Sequence, residues 1–150
     1  MSPRAASRLA ALGFEQVYDY ENGKADWFAY GLPRAGTSTE RYAGDAVRRD
    51  VPTCTLADDL DAVRARVRER GFDTCLVVDA NGVVIGRLGR AALRESGGTV
   101  EEAMSEGPVT VRPSTTLERA RARMDKNELT SLPVTTPDGR LAGLLLRDDL

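Results

Sequence analysis

The chain has 150 residues, the size of one domain or two small modules, and its 41% apolar and 29% charged residues exclude disorder as the main state. Lys and Arg number 21 against 23 Asp and Glu, and a net charge of −2 argues against a nucleic-acid partner held by counterion release. The absence of histidine removes imidazole bases, His-based triads and His metal sites, and no metal centre is expected. Cys54 and Cys75, the only cysteines, form neither a Cys-x-x-Cys pair nor a disulfide framework and suit a reducing compartment. No apolar run approaches the roughly 20 residues that span a bilayer, and the opening MSPRAASRLAALGF is too polar for a secretory signal. A cytoplasmic protein without a membrane partner is the expectation.

In chain order, residues 1–36 stand apart from the rest. Pro3 to Leu12 reads as a helix, with Ala6, Leu9 and Leu12 in phase and Gly13 ending it. Phe14 to Tyr20 alternates toward a strand. Lys24 to Tyr30 reads as a short helix carrying Trp27 and Phe28, stopped by Gly31-Leu32-Pro33. The series SPRAASRLAALGFEQVYDYENGKADWFAYGLP resembles the C-terminal part of a rhodanese, or sulfurtransferase, domain. In that family the persulfide-carrying cysteine loop lies just before the matching helix. Here Met1 follows the place of that loop, and neither Cys54 nor Cys75 matches it, so sulfur transfer is not expected. A segment this small cannot bury Phe14, Tyr18, Tyr20, Trp27 and Tyr30 alone, so it should pack on the remainder or on another subunit. The polar residues 37–41 read as a linker.

The remainder is a repeat. Sliding the sequence by 57 positions places Ala46 on Ala103, Thr53 on Thr110, Leu60 on Leu117, Arg64-Ala65-Arg66 on Arg121-Ala122-Arg123, and Val77 on Val134. Gly82, Gly86 and Leu93 fall on Gly139, Gly143 and Leu150, and the glycines are read as matching turns. Each copy opens with a short strand, Thr53 to Thr55 or Thr110 to Arg112. A helix follows. In the first copy it runs from Asp58 to Arg70, with Leu60, Val63 and Val67 on one face, acidic residues first, arginines last and Gly71 as the stop. In the second, Thr115 and Glu118 form a capping-box pattern before Leu117, Ala120 and Met124. A hairpin comes next: Cys75 to Val78, Asp79-Ala80-Asn81-Gly82, Val83 to Ile85; then Leu132 to Val134, Asp138-Gly139, Leu141 to Leu146. The unalternating apolar runs predict strands covered on both sides. A second helix is predicted from Arg90, and in the second copy the chain ends where its counterpart should start.

This βαββα order, carried by LVVDANGVVIGRL at Leu76 to Leu88, EEAMSEGPVTVRPSTTL at Glu101 to Leu117 and LPVTTPDGRLAGLLLRDDL at Leu132 to Leu150, resembles a tandem pair of cystathionine β-synthase (CBS) domains. The resemblance implies an α/β (α+β) fold of two βαββα repeats, 42–98 and 99–150, related by a pseudo-two-fold axis. It also implies a homodimer and a regulatory module rather than an enzyme, one that needs no cofactor and takes an adenosine-containing ligand such as AMP, ATP or S-adenosylmethionine between the repeats. The family's ligand motif is Gly-h-h-Ser/Thr-x-x-Asp, where h is apolar; its Asp takes the ribose hydroxyls and its Ser/Thr helps hold phosphate. A carboxylate suits a cis-diol because it accepts two hydrogen bonds. The second copy, Gly143-Leu144-Leu145-Leu146-Arg147-Asp148-Asp149, places Asp149 at the ribose position and Leu146 where the hydroxyl belongs, with Arg147 beside it as a partial substitute. The first copy has Gly89 and Ala92 at those positions. By the same resemblance Asp149 faces Thr53, Cys54, Thr74 and Cys75, whereas Ala92 faces Thr110, Ser131, Leu132 and Pro133 in a degenerate cleft. The alternative is an interaction module whose clefts no longer bind ligand. Read without the family, Asp149 is a helix cap and the two cysteines are small buried hydrophobes.

Overall fold

A computed structural model describes residues 3–18, 23, 27, 32, 40–95 and 97–150. The N-terminal segment begins with helix α1 (Pro3–Ala11); residues 14–18 of the predicted strand from Phe14 form no strand, whereas the last two residues of that span and most of the helix predicted from Lys24 lie outside the described residues. Repeat one comprises helix α2 (Ala43–Ala46), strand β1 (Thr53–Cys54), helix α3 (Leu60–Glu69) and strands β2 (Cys75–Val78) and β3 (Val84–Leu88). Repeat two comprises helix α4 (Val100–Ala103), strand β4 (Ser105–Glu106), helix α5 (Leu117–Lys126), strands β5 (Ser131–Thr135) and β6 (Leu141–Leu146), and a 3₁₀ turn over Arg147–Asp149.

The helices form where apolar spacing and caps agree, with the caps partly displaced from those predicted. Asp59 caps α3 by accepting from the Ala62 N–H at 2.8 Å, and Leu60, Val63 and Val67 are buried. Helix α5 is capped by Thr116, which accepts from Arg119 N–H, so Thr115 and Glu118 make no capping box there. A capping box does close α4, where Thr99 and Glu102 exchange bonds of 3.0 and 3.2 Å. The helix predicted from Arg90 is only a run of turns over residues 90–94, a stretch too short to propagate a helix.

Strands β1-β2-β3-β4 form one sheet, with β1 parallel to β2 and the other pairs antiparallel. Strands β5 and β6 pair antiparallel, flanked by a parallel bridge Val111–Val134 and an antiparallel bridge Arg48–Leu144. The two sheets therefore share one strand order. In each, the last position is filled from the lead-in of the other repeat: β4 lies on β3, and Arg48 lies on β6. The exchange includes the helices. Ala43 of α2 is fully buried in the core of repeat two, and Val100 of α4 in the core of repeat one. At the hairpin tips Val84 N–H donates to Gly139 O at 3.1 Å and Leu141 N–H to Gly82 O at 3.0 Å, a reciprocal pair that puts the pseudo-two-fold axis between them.

The repeated glycines serve two purposes. Gly82 and Gly139 sit in hairpin turns with φ of 79° and 85°. Gly86 and Gly143 lie inside strands and are needed for close approach. A Cβ on Gly86 would stand 2.4 Å from Met104 Sδ, and one on Gly143 would stand 2.6 Å from Arg48 O.

Candidate functional site: the face between the repeats

Strand alternation sorts the predicted site residues onto two faces. In repeat one, Cys54, Cys75, Val77 and Leu88 turn to the core under α3. Leu76 turns the other way and packs with Val51 and Leu144 between the repeats. Thr53 and Arg87 are its Cα partners on the neighbouring strands and share its face. In repeat two, Leu132 and Leu145 face the α5 core, whereas Ser131, Pro133, Leu144 and Leu146 face repeat one.

This corrects three expected ligand contacts. Cys54 and Cys75 are 3% and 0% exposed in the core of repeat one, and Leu132 is fully buried in that of repeat two, so their side chains do not line the space between the repeats. Contact with Cys54 and burial together push the Cys75 thiol far above the usual thiol range. Thr53, Thr74, Ser131 and Pro133 remain on the facing surfaces. Thr110 precedes the core residue Val111 and by alternation turns to the same side as Pro133, and it also lines a shallow cavity of about 350 Å³ with Arg112, Arg119 and Arg123.

Asp149 closes the 3₁₀ turn after β6. Arg48 holds it with a bidentate contact, Nε to Oδ2 at 2.7 Å and Nη2 to Oδ1 at 2.8 Å. Arg48 reaches it because its own backbone is bridged to Leu144 by two 2.9 Å bonds. The guanidinium keeps the Asp149 carboxyl below the ordinary aspartate range, so it is an anion at neutral pH. Arg147 does not stand beside it. Its Nη2 pairs with Asp125 at 2.7 Å and its Nε donates to Leu129 O at 3.3 Å, on the helix side of its own repeat.

Sequence reasoning missed two arginines. Arg48 precedes the repeat core, and nothing local marks it as the partner of Asp149. Arg87 carried a signal: it occupies the position of Leu144 in the repeat register, a charge where its counterpart is a buried leucine. Its Nε donates to Thr74 Oγ1 at 2.9 Å, its Nη1 to Ser131 O at 3.2 Å and its Nη2 to Ser131 Oγ at 2.7 Å. It therefore ties one repeat to the other. Among the described residues no group of three or more His, Cys, Asp or Glu is placed to hold a metal ion, and no helix is long and apolar enough to cross a membrane.

The CBS domain family matches residues 43–96 and 100–150, both halves of this exchanged pair. The chain belongs to the CBS-domain family. Among known proteins, it is 31% identical over 114 residues to an inosine-5′-monophosphate dehydrogenase of Korarchaeum cryptofilum (strain OPF8), a match covering 73% of this chain and 24% of that one. It is 23% identical over 113 residues to a homoserine O-acetyltransferase of Methanohalobium evestigatum, covering 73% and 23%. The chain thus spans about a quarter of the length of these enzymes. Its CBS fold is similar to that of CBSX2 in complex with AMP, with a TM-score of 0.67 at 24% identity over 73% of this chain and 92% of that one. The cytosolic domain of the Mg²⁺ channel MgtE in complex with ATP gives 0.67 at 26% identity, over 73% and 47%. The CBS pair of protein MJ0100, in complex with 5′-methylthioadenosine and S-adenosylmethionine, gives 0.68 at 16% identity, over 73% and 92%. Each of these three structures holds an adenosine-containing small molecule.

Proposed function

We propose that this CBS pair is a regulatory module, not a catalyst, that senses an adenosine-containing ligand between its repeats, with Asp149 accepting the ribose hydroxyls. The observation that carries this reading is the ionised carboxylate of Asp149 at the family's ribose position, on the turn that follows β6. Thr53 supplies a polar group on the facing side of repeat one, and Thr74 is buried with its hydroxyl shared between Leu88 O and Arg87. The bound molecules of CBSX2, MgtE and the MJ0100 pair support the ligand class. One site per chain is expected, because Ala92 gives the other cleft no carboxylate. In this reading the module is a cytoplasmic homodimer, and segment 1–36 is similar to the C-terminal part of a rhodanese domain. Titration calorimetry with AMP, ATP and S-adenosylmethionine tests the function. Asp149→Ala removes charge-assisted hydrogen bonds worth about 1.5–3 kcal/mol, so affinity falls by about one to two decades. Equal affinity in Asp149→Ala would exclude the assignment.

Arg48 favours a second reading, an interaction module without ligand, because it already occupies both oxygens of Asp149. Heat absent for all three compounds, with a dimer seen by light scattering, would establish it.

A further inference from the structure

Arg87 is a cation set among neutral groups. It lies on β3 opposite Leu76, on the face that meets repeat two. Its three hydrogen bonds go to one hydroxyl of repeat one and to the hydroxyl and carbonyl of a single serine of repeat two. Thr74 and Ser131 are the same position in the two copies, so the guanidinium spans the pseudo-axis. Thr74 passes its own proton to Leu88 O at 3.1 Å, which leaves its oxygen free to accept from Arg87. Among the described residues no carboxylate forms an ion pair with Arg87. Asp73, the nearby acid that acts on its charge, is already paired with Arg90 at 2.5 Å.

Such an arrangement is costly for stability alone. A cation drawn out of water without a counter-charge is unfavourable, and burial does pull this guanidinium below its usual value. Leu144 shows the cheaper solution at the equivalent position of repeat two. Guanidinium has five N–H donors, of which Thr74 and Ser131 engage three, leaving one N–H on each Nη for a further acceptor, and the several oxygens of a phosphate suit such a cation. Ser131 is the Cα partner of Leu146, which directly precedes the turn ending in Asp149. Arg87, Ser131 and Leu146 thus line one strip of the inter-repeat face, and the turn that carries Asp149 leads off from its end.

We infer that Arg87 recognises a phosphoryl group, so that the ligand of this module is a phosphorylated adenosine and not S-adenosylmethionine or free adenosine. This rests on the function proposed above, and the experiment separates the two. Calorimetry compares AMP, ATP, adenosine, S-adenosylmethionine and inorganic pyrophosphate on the parent, on Arg87→Gln and on Arg87→Leu, which copies Leu144. The parent should bind AMP and ATP at least about tenfold more tightly than adenosine, the value of one charged hydrogen bond. Both variants should lose that preference while keeping adenosine affinity and the far-UV circular-dichroism spectrum of the folded parent. AMP affinity unchanged in Arg87→Gln, or a parent that ranks S-adenosylmethionine first, overturns the inference and leaves the function standing. Pyrophosphate bound by the parent and lost in Arg87→Gln, with no adenosine compound bound, sustains Arg87 as the anion site and removes the adenosine reading. Binding of neither removes both. Should a variant fail to fold, the parent's own ranking of AMP against adenosine decides.

Discussion

Arg48 sets the protonation of Asp149, and a pH titration can read this directly. Its two N–H groups hold the carboxyl below the ordinary aspartate value of about 3.9. A group whose folded pKa is depressed contributes stability above its unfolded pKa and loses it as pH falls through the folded value. The contact is therefore intact at neutral pH, and the affinity for unphosphorylated adenosine should be flat from about pH 8 down to about pH 5. Carboxyl-carbon NMR should find Asp149 titrating below about 3.9 in the parent and near it in Arg48→Ala. An unmoved value would mean that Arg48 does not perturb the site. The two cysteines belong to the same scale. Buried side by side under α3, with Cys75 raised, they should resist a thiol reagent at neutral pH and react only as fast as the fold opens. Rapid labelling of either thiol in the native protein would contradict the core placement.

Among the elements, the hairpins and the two amphipathic helices were legible because their signals are local: Asn81-Gly82, Asp138-Gly139 and apolar spacing all act within a few residues. What was not legible is why Gly86 and Gly143 recur. Each lies inside a strand and yields to a segment far away in sequence, the lead-in of the other repeat, and no local pattern reports such an approach. The same non-locality hid the fourth strand position of each sheet. The Cys54 and Cys75 assignments failed for a different reason: the family pattern names a strand, but which face a side chain takes depends on register. The two glycines make unequal predictions. Gly143→Ala meets the Arg48 carbonyl, a backbone atom fixed by the bridge to Leu144, and should destabilise by about 1–3 kcal/mol. Gly86→Ala meets the Met104 thioether, which can rotate away, and should lie within about 1 kcal/mol of the parent. Urea melts of the two variants check the order, and equal losses would show that the contacts are not what the glycines serve.

At the scale of the molecule, the repeats are legible as units in sequence but are not independent in structure. Each core is completed by a residue of the other's lead-in, Ala43 in repeat two and Val100 in repeat one, and each sheet ends on the other's lead-in backbone. Val51, Leu76 and Leu144 join the facing surfaces, and Arg87 bonds across them. Separating the copies would expose apolar surface and leave the edges of β3 and β6 unpaired at once, so neither half should open without the other. Residues 40–150 are therefore expected to unfold in a single transition. Hydrogen exchange can test this strand by strand, because amides of β2 and β5 should exchange with the same opening free energy when both depend on global unfolding. A Val100→Ala substitution sharpens the test. Val100 belongs to repeat two in sequence but to the core of repeat one in space, and truncating a buried valine should lower the melting of both repeats together. Protection in β5 that survives while β2 opens would show that the exchanged lead-ins do not couple the pair.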